Sequence, residues 1–185
     1  MNTVVTSREA ILEVSRQLIQ EQGWSAVNIR NVAAACKVSV GSIYNYFGSK
    51  TELTAAAIES IWKDIFHFPE QETDFTDFSH CVNWIFRCME KGAEKYPGFF
   101  TLHSMSFLGD EKPDGQKRMA QSWEHIQNVL LTVLLRDKNI RPGAFHEPLT
   151  PQKFTDLIFS LIISALIRQN YDSSAILELI KRTIY

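Results

Sequence analysis

The sequence contains no apolar segment long enough to cross a bilayer. Its most apolar stretch, residues 157–167, is eleven residues long and is interrupted by serines, whereas a membrane-spanning helix needs about 20 apolar residues. The first ten residues, MNTVVTSREA, also lack the apolar core of a signal peptide. We therefore expect neither a membrane partner nor secretion, and we predict a cytoplasmic protein.

Cysteine is scarce, and the sequence lacks every common catalytic or metal-binding motif. The 3 cysteines are an odd number without a disulfide framework, which suits a reducing compartment. Cys81 and Cys88 lie two helical turns apart, about 10 Å, which is too far for one tetrahedral ion. The 5 histidines show no metal-binding spacing, and there is neither a glycine-rich phosphate loop nor a nucleophile elbow. We expect no catalytic residue, no metal, no cofactor and no enzymatic activity.

The chain has little net charge, but the charge is unevenly distributed. Residues 1–50 contain five Lys or Arg and three Asp or Glu, which gives +2, so the other 135 residues carry −4 of the total of −2. A modestly basic amino-terminal part next to an acidic remainder is weakly indicative of contact with a polyanion.

Strand-like alternation is absent, and apolar residues recur every three or four positions, which predicts an all-α chain of about nine helices. The first helix is predicted to begin at a capping box in which Thr6 and Glu9 satisfy each other's backbone amides, and to stop at Gly23. Later helices are expected to begin after these residues: Asn28, Ser39, Ser49, Thr150, and Asp172 or Ser173.

Two short helices joined by a tight turn follow a supporting helix, which is the layout of a helix-turn-helix over residues 28–53. The first short helix is predicted to end at Ala35 and the second at Tyr46. Exposed side chains that can donate to phosphate surround a small core: Asn28, Arg30, Ser39, Ser42, Tyr44, Tyr46 and Lys50. Lys50 lies in the first turn of its helix, where a cation is disfavoured unless a phosphate binds there.

The run VSVGSIYNYFGSKTEL, residues 38–53, resembles the DNA-binding domain of the tetracycline-repressor (TetR) family, and the resemblance extends over about residues 6–57. It implies a three-helix helix-turn-helix domain in residues 1–50 and a helical bundle for effector binding and dimerisation in residues 51–185. It also implies a function. We expect an effector-responsive repressor that binds a near-palindromic double-stranded DNA operator as a homodimer and is released by a small molecule.

The resemblance implies a role for each matching residue. Those that would bind phosphate are Asn28, Tyr44, Tyr46 and Lys50, with Ser39 beside them. Those that would read bases in the major groove are Val40, Gly41, Ser42 and Asn45, with Arg30 reaching base or backbone. Lys37 stands where the family usually has a glycine with positive φ, which costs another residue roughly 1 kcal/mol. Either the turn is shaped differently, or the strain is tolerated because a lysine near DNA is useful.

Residues 51–185 are rich in aromatic side chains but carry no strong motif. Each aromatic residue taken alone is accounted for by ordinary core packing. In the family this region encloses an effector pocket, so we expect an apolar or aromatic effector. The predicted lining is Trp62, Phe66, Trp84, Phe100, His103 and Trp123.

The last two helices are apolar over more than one face, which indicates a partner outside their own domain. The predicted dimer interface consists of Phe154, Ile158, Leu161, Ile162, Ala165, Ile176, Leu179 and Ile180. The alternative is that these residues form central core. Two other functions also stay open: a DNA-binding architectural protein without a ligand, and a helical small-molecule-binding protein that has lost DNA binding.

Overall fold

The computed structural model describes residues 6–67, 75–104 and 113–185, with side chains for 6–67, 75–101 and 123–185. Within these ranges the chain forms nine α-helices, as the apolar periodicity predicts, and no strand. The helices are α1 (Arg8–Gln22), α2 (Ile29–Ala35), α3 (Val40–Tyr44), α4 (Lys50–Ile65), α5 (Phe78–Lys95), α6 (Phe99–Ser104), α7 (Pro113–Arg136), α8 (Pro151–Ile167) and α9 (Ser174–Ile184). A short 3₁₀ turn, Trp24–Ala26, links α1 to α2.

Side-chain caps fix most helix starts where the sequence predicts them. The side chains of Asn28, Ser49 and Thr150 each accept a hydrogen bond from the backbone amide three residues later. The cap of α1 is predicted wrongly, since Ser7 rather than Thr6 accepts from the amide of Ala10 at 3.1 Å. α3 ends at Tyr44, two residues before the predicted end at Tyr46.

The buried apolar side chains form one continuous core that runs from α1 to α9. α4 contacts α1 as well as α5 and α7, so it belongs to both ends of this core. Its last residue, Ile65, lies directly against Gly92 of α5. A domain boundary at residue 50 would fall on the first residue of α4, and the division into residues 1–50 and 51–185 stays a prediction.

The end of α7 is tied to α5 and to the carboxyl terminus. One carboxylate oxygen of Asp137 accepts hydrogen bonds from the amide of Phe78, at 2.9 Å, and from the hydroxyl of Tyr185. The guanidinium of Arg141 donates to the carbonyl of Thr183 at 2.8 Å. These contacts hold α9 in place beside α5. None of the described helices combines the length and apolar character needed to traverse a membrane.

Candidate nucleic-acid interface

The outer face of α3 presents apolar side chains to solvent. Val40 is 41% exposed and Tyr44 is 49% exposed, and Gly41 and Asn45 are exposed beside them. On the opposite face, Ile43 is completely buried and anchors the helix in the core. Exposed apolar residues grouped in this way mark a contact surface for another molecule. We call Val40, Gly41, Tyr44 and Asn45 the recognition face.

Gly41 has no role in the fold that requires glycine. A methyl group at this position would meet its nearest neighbour, Oγ of Ser39, at an ordinary van der Waals distance of 3.7 Å, and Gly41 does not adopt a positive φ. Glycine within a helix costs roughly 0.5–1 kcal/mol relative to alanine. Its presence on the recognition face is explained when another molecule comes close to the backbone of α3.

Two of the predicted phosphate donors also hold the helix-turn-helix together. Oγ of Ser39 accepts from the amide of Ser42 at 3.0 Å and lies 2.8 Å from the hydroxyl of Ser42. Oδ1 of Asn28 accepts from the amide of Asn31 at 2.9 Å. Their side chains therefore set the starts of α2 and α3 in the free protein.

The amino terminus of α4 lies just beyond the recognition face in the chain. Lys50 is its first residue and is exposed. Oγ of Ser49 accepts from the amide of Glu52 at 3.0 Å, and Oε2 of Glu52 accepts from the amide of Gly48 at 2.8 Å. A cation at this end of a helix opposes the helix dipole, so Lys50 adds local positive charge where an anion is already favoured.

The hydroxyl of Tyr46 is less available for a phosphate contact than the sequence predicts. It is 38% exposed, but its hydroxyl donates to the backbone carbonyl of Thr6 at 2.5 Å. The neighbouring Phe47 is fully buried beneath the guanidinium of Arg8, 5.0 Å from the ring centre. These contacts join the segment after α3 to the start of α1. The Tyr46 hydroxyl could donate a hydrogen bond to a phosphate only if its hydrogen bond to Thr6 were broken.

The turn between α2 and α3 has the left-handed conformation that the position of Lys37 implies. Lys37 has φ 57°. Its amide donates to the carbonyl of Ala34, and the amide of Val38 donates to that of Ala33, both at 3.0 Å. This pair of bonds is the Schellman arrangement, which usually places glycine at the left-handed residue. The turn therefore has the strained backbone conformation, with an exposed lysine at a position where a residue other than glycine costs roughly 1 kcal/mol of stability.

The helix-turn-helix region matches the family model described as "Bacterial regulatory proteins, tetR family" over residues 11–57. This match includes α2, α3 and the start of α4, and solved structures of similar fold cover the rest of the chain. Residues 11–57 therefore form a DNA-binding domain of the tetR family. The chain is accordingly a DNA-binding transcriptional regulator.

Three similar proteins illustrate the range of the likeness. The chain is 26% identical to the nucleoid occlusion factor SlmA of Pasteurella multocida (strain Pm70) over 138 residues, which are 74% of this chain and 69% of SlmA. The multidrug binding protein EbrR, complexed with imidazole, has a TM-score of 0.65 at 16% identity, covering 98% of this chain and 96% of EbrR. BioQ, with its double-stranded DNA operator, has a TM-score of 0.55 at 12% identity, covering 90% and 87%. At these identities the structural likeness shows the fold alone.

Four of the six residues predicted to line the effector site meet in one cluster. Trp62 of α4 lies nearly parallel to Phe66, with ring centres 5.5 Å apart and 12° between the planes. It also contacts Phe100 at 5.6 Å and Trp123 at 5.7 Å. Two residues outside the prediction complete this group, which we call the aromatic cluster: Phe99, 5.5 Å from Trp62, and Phe159, 5.3 Å from Trp123.

The other two residues predicted to line the effector site are Trp84 and His103, and neither is described in this cluster. Trp84 is half-buried and places its ring edge-on to Phe75, 5.6 Å away, near the start of α5. His103 belongs to α6, but its side chain lies outside the described residues. The proximity of Phe159 to Trp123 is a contact between α8 and α7, which no local sequence pattern could indicate.

The dimer prediction needs correction at half of its residues. Phe154, Ile158, Ile162 and Ile180 are each at most 4% exposed, because they pack into the chain's own core. The apolar residues that point outward on the last two helices are Leu157, Leu161, Ile167 and Leu179, with Ala165 and Ile176 partly exposed. Leu157 is outside the predicted interface. With 3.6 residues per turn it lies roughly 100° around α8 from the middle of the buried row Phe154, Ile158 and Ile162, on the flank of that row.

A polar junction connects the aromatic cluster to α1. The carboxylate of Asp64 accepts from the hydroxyl of Tyr96 at 2.8 Å and from Nζ of Lys95 at 2.7 Å. Burial favours a higher pKa for Asp64, but the bonds from Lys95 and Tyr96 and the charges of Lys95 and Arg16 outweigh it and lower the pKa. Tyr96 is fully buried, and burial together with the bond to Asp64 raises its pKa. The Tyr96 ring lies 6.3 Å from that of Phe99.

None of the three cysteines has the features of a reactive, nucleophilic thiol. Cys81 is fully buried, and burial raises the pKa of Cys36 and brings that of Cys88 to about 11. A raised pKa keeps a thiol protonated, and the protonated form is a poor nucleophile. In the part of the chain that the structure describes, no three His, Cys, Asp or Glu side chains form a group able to hold a metal ion.

Proposed function

We propose that this TetR-family regulator is an effector-responsive repressor that binds a near-palindromic operator as a homodimer. The observation that carries the proposal is the recognition face, where Val40, Gly41 and Tyr44 stand in solvent while Ile43 is buried behind them. In the proposed complex α3 enters the major groove. Val40 and Gly41 are small enough to meet thymine methyl groups, and Asn45 and Arg30 supply the hydrogen bonds to bases.

Phosphate contacts set the register of the helix on the duplex in this proposal. Tyr44 and Lys50 are the principal donors, with Lys37, Ser39, Ser42 and the start of α2 at Asn28 beside them. Lys37 and Lys50 are both exposed. Tyr46 is given a different role from the one the family implies: its bond to Thr6 positions the segment after α3.

Dimerisation would place two recognition faces on one side of the duplex. Leu157, Leu161 and Leu179 are the proposed contact, because they are exposed apolar side chains on α8 and α9, the last two helices. A two-fold dimer would put the helices into successive major grooves, with half-sites about one helical turn or slightly more apart.

The effector is proposed to act through α4. Lys50 begins this helix and Trp62 lies twelve residues later, about 18 Å along the axis. A second route runs through Phe99, whose ring lies 6.4 Å from that of Trp24 next to α1. A ligand in the aromatic cluster would favour a conformer with wrongly spaced recognition helices. The loss of operator affinity is then limited by the ligand's preference for that conformer.

The proposal includes action in the cytoplasm by binding and not by catalysis. Cys36, Cys81 and Cys88 are all free thiols, as a reducing compartment allows. The partners are thus DNA, a small apolar or aromatic molecule and a second copy of the chain.

Substitution of the phosphate donors tests the proposed docking. Tyr44→Ala and Lys50→Ala are each expected to weaken binding to every DNA sequence, because phosphate contacts carry no sequence information. Lys50→Ala removes one charged contact per subunit, so for a dimer the slope of log K against log salt should become shallower by about 2. Tyr44 carries no charge, and its loss should leave the slope nearly unchanged. Fluorescence anisotropy with labelled operator and with unrelated DNA at four salt concentrations measures both effects.

Lys63→Ala provides the matched control for Lys50→Ala. Lys63 is also an exposed lysine on α4, but it pairs with Glu59 at 2.7 Å far from the start of the helix. Its loss should leave the salt slope unchanged. Changing Asn45 should instead alter which operator is preferred. Undiminished DNA affinity in Tyr44→Ala, or an unaltered salt slope in Lys50→Ala, would contradict the docking.

Gly41→Ala is expected to stabilise the protein while weakening operator binding. The free energy of unfolding should rise by roughly 0.5–1 kcal/mol, because alanine is the better helix former and its methyl group meets no close neighbour. The same methyl group would stand between α3 and the bases, so affinity for the operator should fall about tenfold, or about 1.4 kcal/mol. Thermal unfolding and anisotropy measure the two effects on one sample. A stabilised variant with full affinity would show that α3 does not approach the bases closely.

The two rival functions differ from the proposal in one measurement each. An architectural protein would bind DNA with little sequence preference and would not respond to a ligand. A ligand-binding protein without DNA contact would ignore DNA even at low salt, where phosphate binding is strongest.

A further inference from the structure

Trp62 is surrounded by four aromatic rings from three parts of the chain. Phe66 follows α4, Phe99 and Phe100 belong to α6, and Trp123 belongs to α7; all four ring centres lie 5.5–5.7 Å from that of Trp62. The Trp62 side chain is only 4% exposed. No described charged residue takes part in these ring contacts, so the described surroundings of Trp62 are apolar.

The indole N–H of Trp62 is a buried donor with no hydrogen-bond partner among the described residues. Buried tryptophan normally finds an acceptor for this group, because an unsatisfied donor loses its bond to water without replacement. Such an exception in a regulator with a proposed effector site points to a group that the ligand supplies. Phenylalanine would fill similar space at this position without the unsatisfied donor.

The surroundings limit the chemistry of that ligand. Its polar group has to accept a hydrogen bond, because the indole N–H can only donate. A carboxylate is disfavoured, since one neutral donor among aromatic rings does not compensate for removing an anion from water. A cation is attracted to the faces of aromatic rings, but it provides no hydrogen-bond acceptor for the indole N–H. A neutral acceptor, such as a carbonyl oxygen, fits both requirements.

The shape of the cluster limits the ligand further. Phe66 lies nearly parallel to Trp62, at 12°, which shows that the indole face accepts a flat ring in an offset stack. Phe66 is half-buried and directly follows the last residue of α4. A planar ligand can take the same orientation against Trp62 when the Phe66 ring is displaced.

We propose that the effector is a neutral, planar aromatic molecule bearing a carbonyl-type acceptor, and that the indole N–H of Trp62 is the donor that selects it. This inference rests on the proposed function, because it names the class of effector. It goes further by assigning ligand selectivity to one atom.

Four flat bicyclic probes of similar size test the selection in the full-length protein without DNA. Coumarin carries a neutral carbonyl, naphthalene carries no acceptor, 2-naphthoate is an anion and N-methylquinolinium is a cation. Equilibrium dialysis with absorbance detection gives the affinity for each probe. We expect coumarin to bind about tenfold more tightly than naphthalene, as one hydrogen bond allows, and the two ions to bind more weakly than coumarin.

Trp62→Phe keeps an aromatic ring but removes the donor. In this variant coumarin affinity should fall about tenfold, to the level of naphthalene, while naphthalene affinity changes by less than about threefold. Trp84→Phe is the matched control, because Trp84 packs against Phe75 near the start of α5; it should preserve the preference for coumarin. Far-ultraviolet circular dichroism confirms that both variants are folded.

The outcomes separate this inference from the proposed function. Equal binding of coumarin and naphthalene to the unaltered protein, binding of neither, or an intact preference in Trp62→Phe would overturn the role of Trp62. None of these results affects the operator-binding measurements. If the preference holds but saturating coumarin leaves operator affinity unchanged, the ligand site stands and the effector-controlled release fails.

Discussion

Replacing Leu157 and Leu161 together with glutamate is expected to convert the proposed dimer into a monomer and to lower operator affinity about a thousandfold. The two leucines are 57% and 37% exposed on α8, so the free chain tolerates charge there. A two-fold interface would bury four carboxylates against one another, and uncompensated buried charges are strongly unfavourable. A monomer binds a single half-site and loses the affinity gained by linking two binding sites, which is typically 10²- to 10⁴-fold.

The surface around Leu157 supports its use as the centre of a two-fold contact. Beside it lies a shallow groove of about 410 Å³ lined by Pro148, Leu149, Lys153, Asp156, Leu157 and Ser160. The groove carries one positive and one negative side chain next to an apolar centre. A self-complementary contact can pair these charges between the two copies, because each copy supplies both.

Sedimentation velocity and operator anisotropy at the same protein concentrations check this prediction. Leu135→Glu is the matched control, because Leu135 is 66% exposed but lies at the end of α7. It should leave both the dimer and the operator affinity intact. A Leu157→Glu/Leu161→Glu protein that still sediments as a dimer would place the interface elsewhere, and a monomer with full affinity would show that the operator needs one subunit.

The helix starts were predictable because they depend on residues a few positions apart. Asn28, Ser49 and Thr150 each bond to an amide three residues along the chain. The sequence left two alternatives for the turn at Lys37, and the structure shows the one with positive φ. The DNA-binding segment also has a dense sequence pattern, which the family match over residues 11–57 confirms.

The parts that could not be predicted from the sequence depend on contacts between distant segments. The hydroxyl of Tyr46 reaches Thr6, 40 residues away, so its position could not be derived from the helix-turn-helix pattern. α8 is apolar around most of its circumference, and its inner face is decided by neighbouring helices. Ile158 was consequently assigned to the dimer, although it is 1% exposed in the single chain. The aromatic cluster similarly combines rings from α4, α6, α7 and α8.

Gly92→Ala is expected to destabilise the protein by about 2 kcal/mol, although alanine is the better helix former. In an open helix the substitution would gain up to about 1 kcal/mol. Here the added methyl group would stand 2.9, 2.9 and 3.0 Å from Cγ1, Cγ2 and Cδ1 of Ile65 at the end of α4. Overpacking of a buried contact typically costs 1–3 kcal/mol, and three such contacts at a β-branched side chain favour the upper end of that range.

Chemical denaturation of Gly92→Ala, Ile65→Ala and the double variant tests whether that contact is the cause. Ile65→Ala alone should cost about 2–5 kcal/mol because it leaves a cavity. The methyl group added at position 92 partly fills that cavity, so the double variant should be more stable than the sum of the two losses by at least about 1 kcal/mol. Gly41→Ala is the control for the same substitution without a close neighbour. Additive losses would show that the close approach of α5 to α4 is not what Gly92 preserves.

The same contact has a consequence for DNA binding. Ile65 and Lys50 are the two ends of α4, so a methyl group that pushes Ile65 away from α5 tilts the helix that carries Lys50. Operator affinity of Gly92→Ala is therefore expected to fall, and the Ile65→Ala change should restore part of it in the double variant. A destabilised Gly92→Ala protein with unchanged operator affinity at temperatures where it is folded would show that the amino terminus of α4 is positioned independently of its other end.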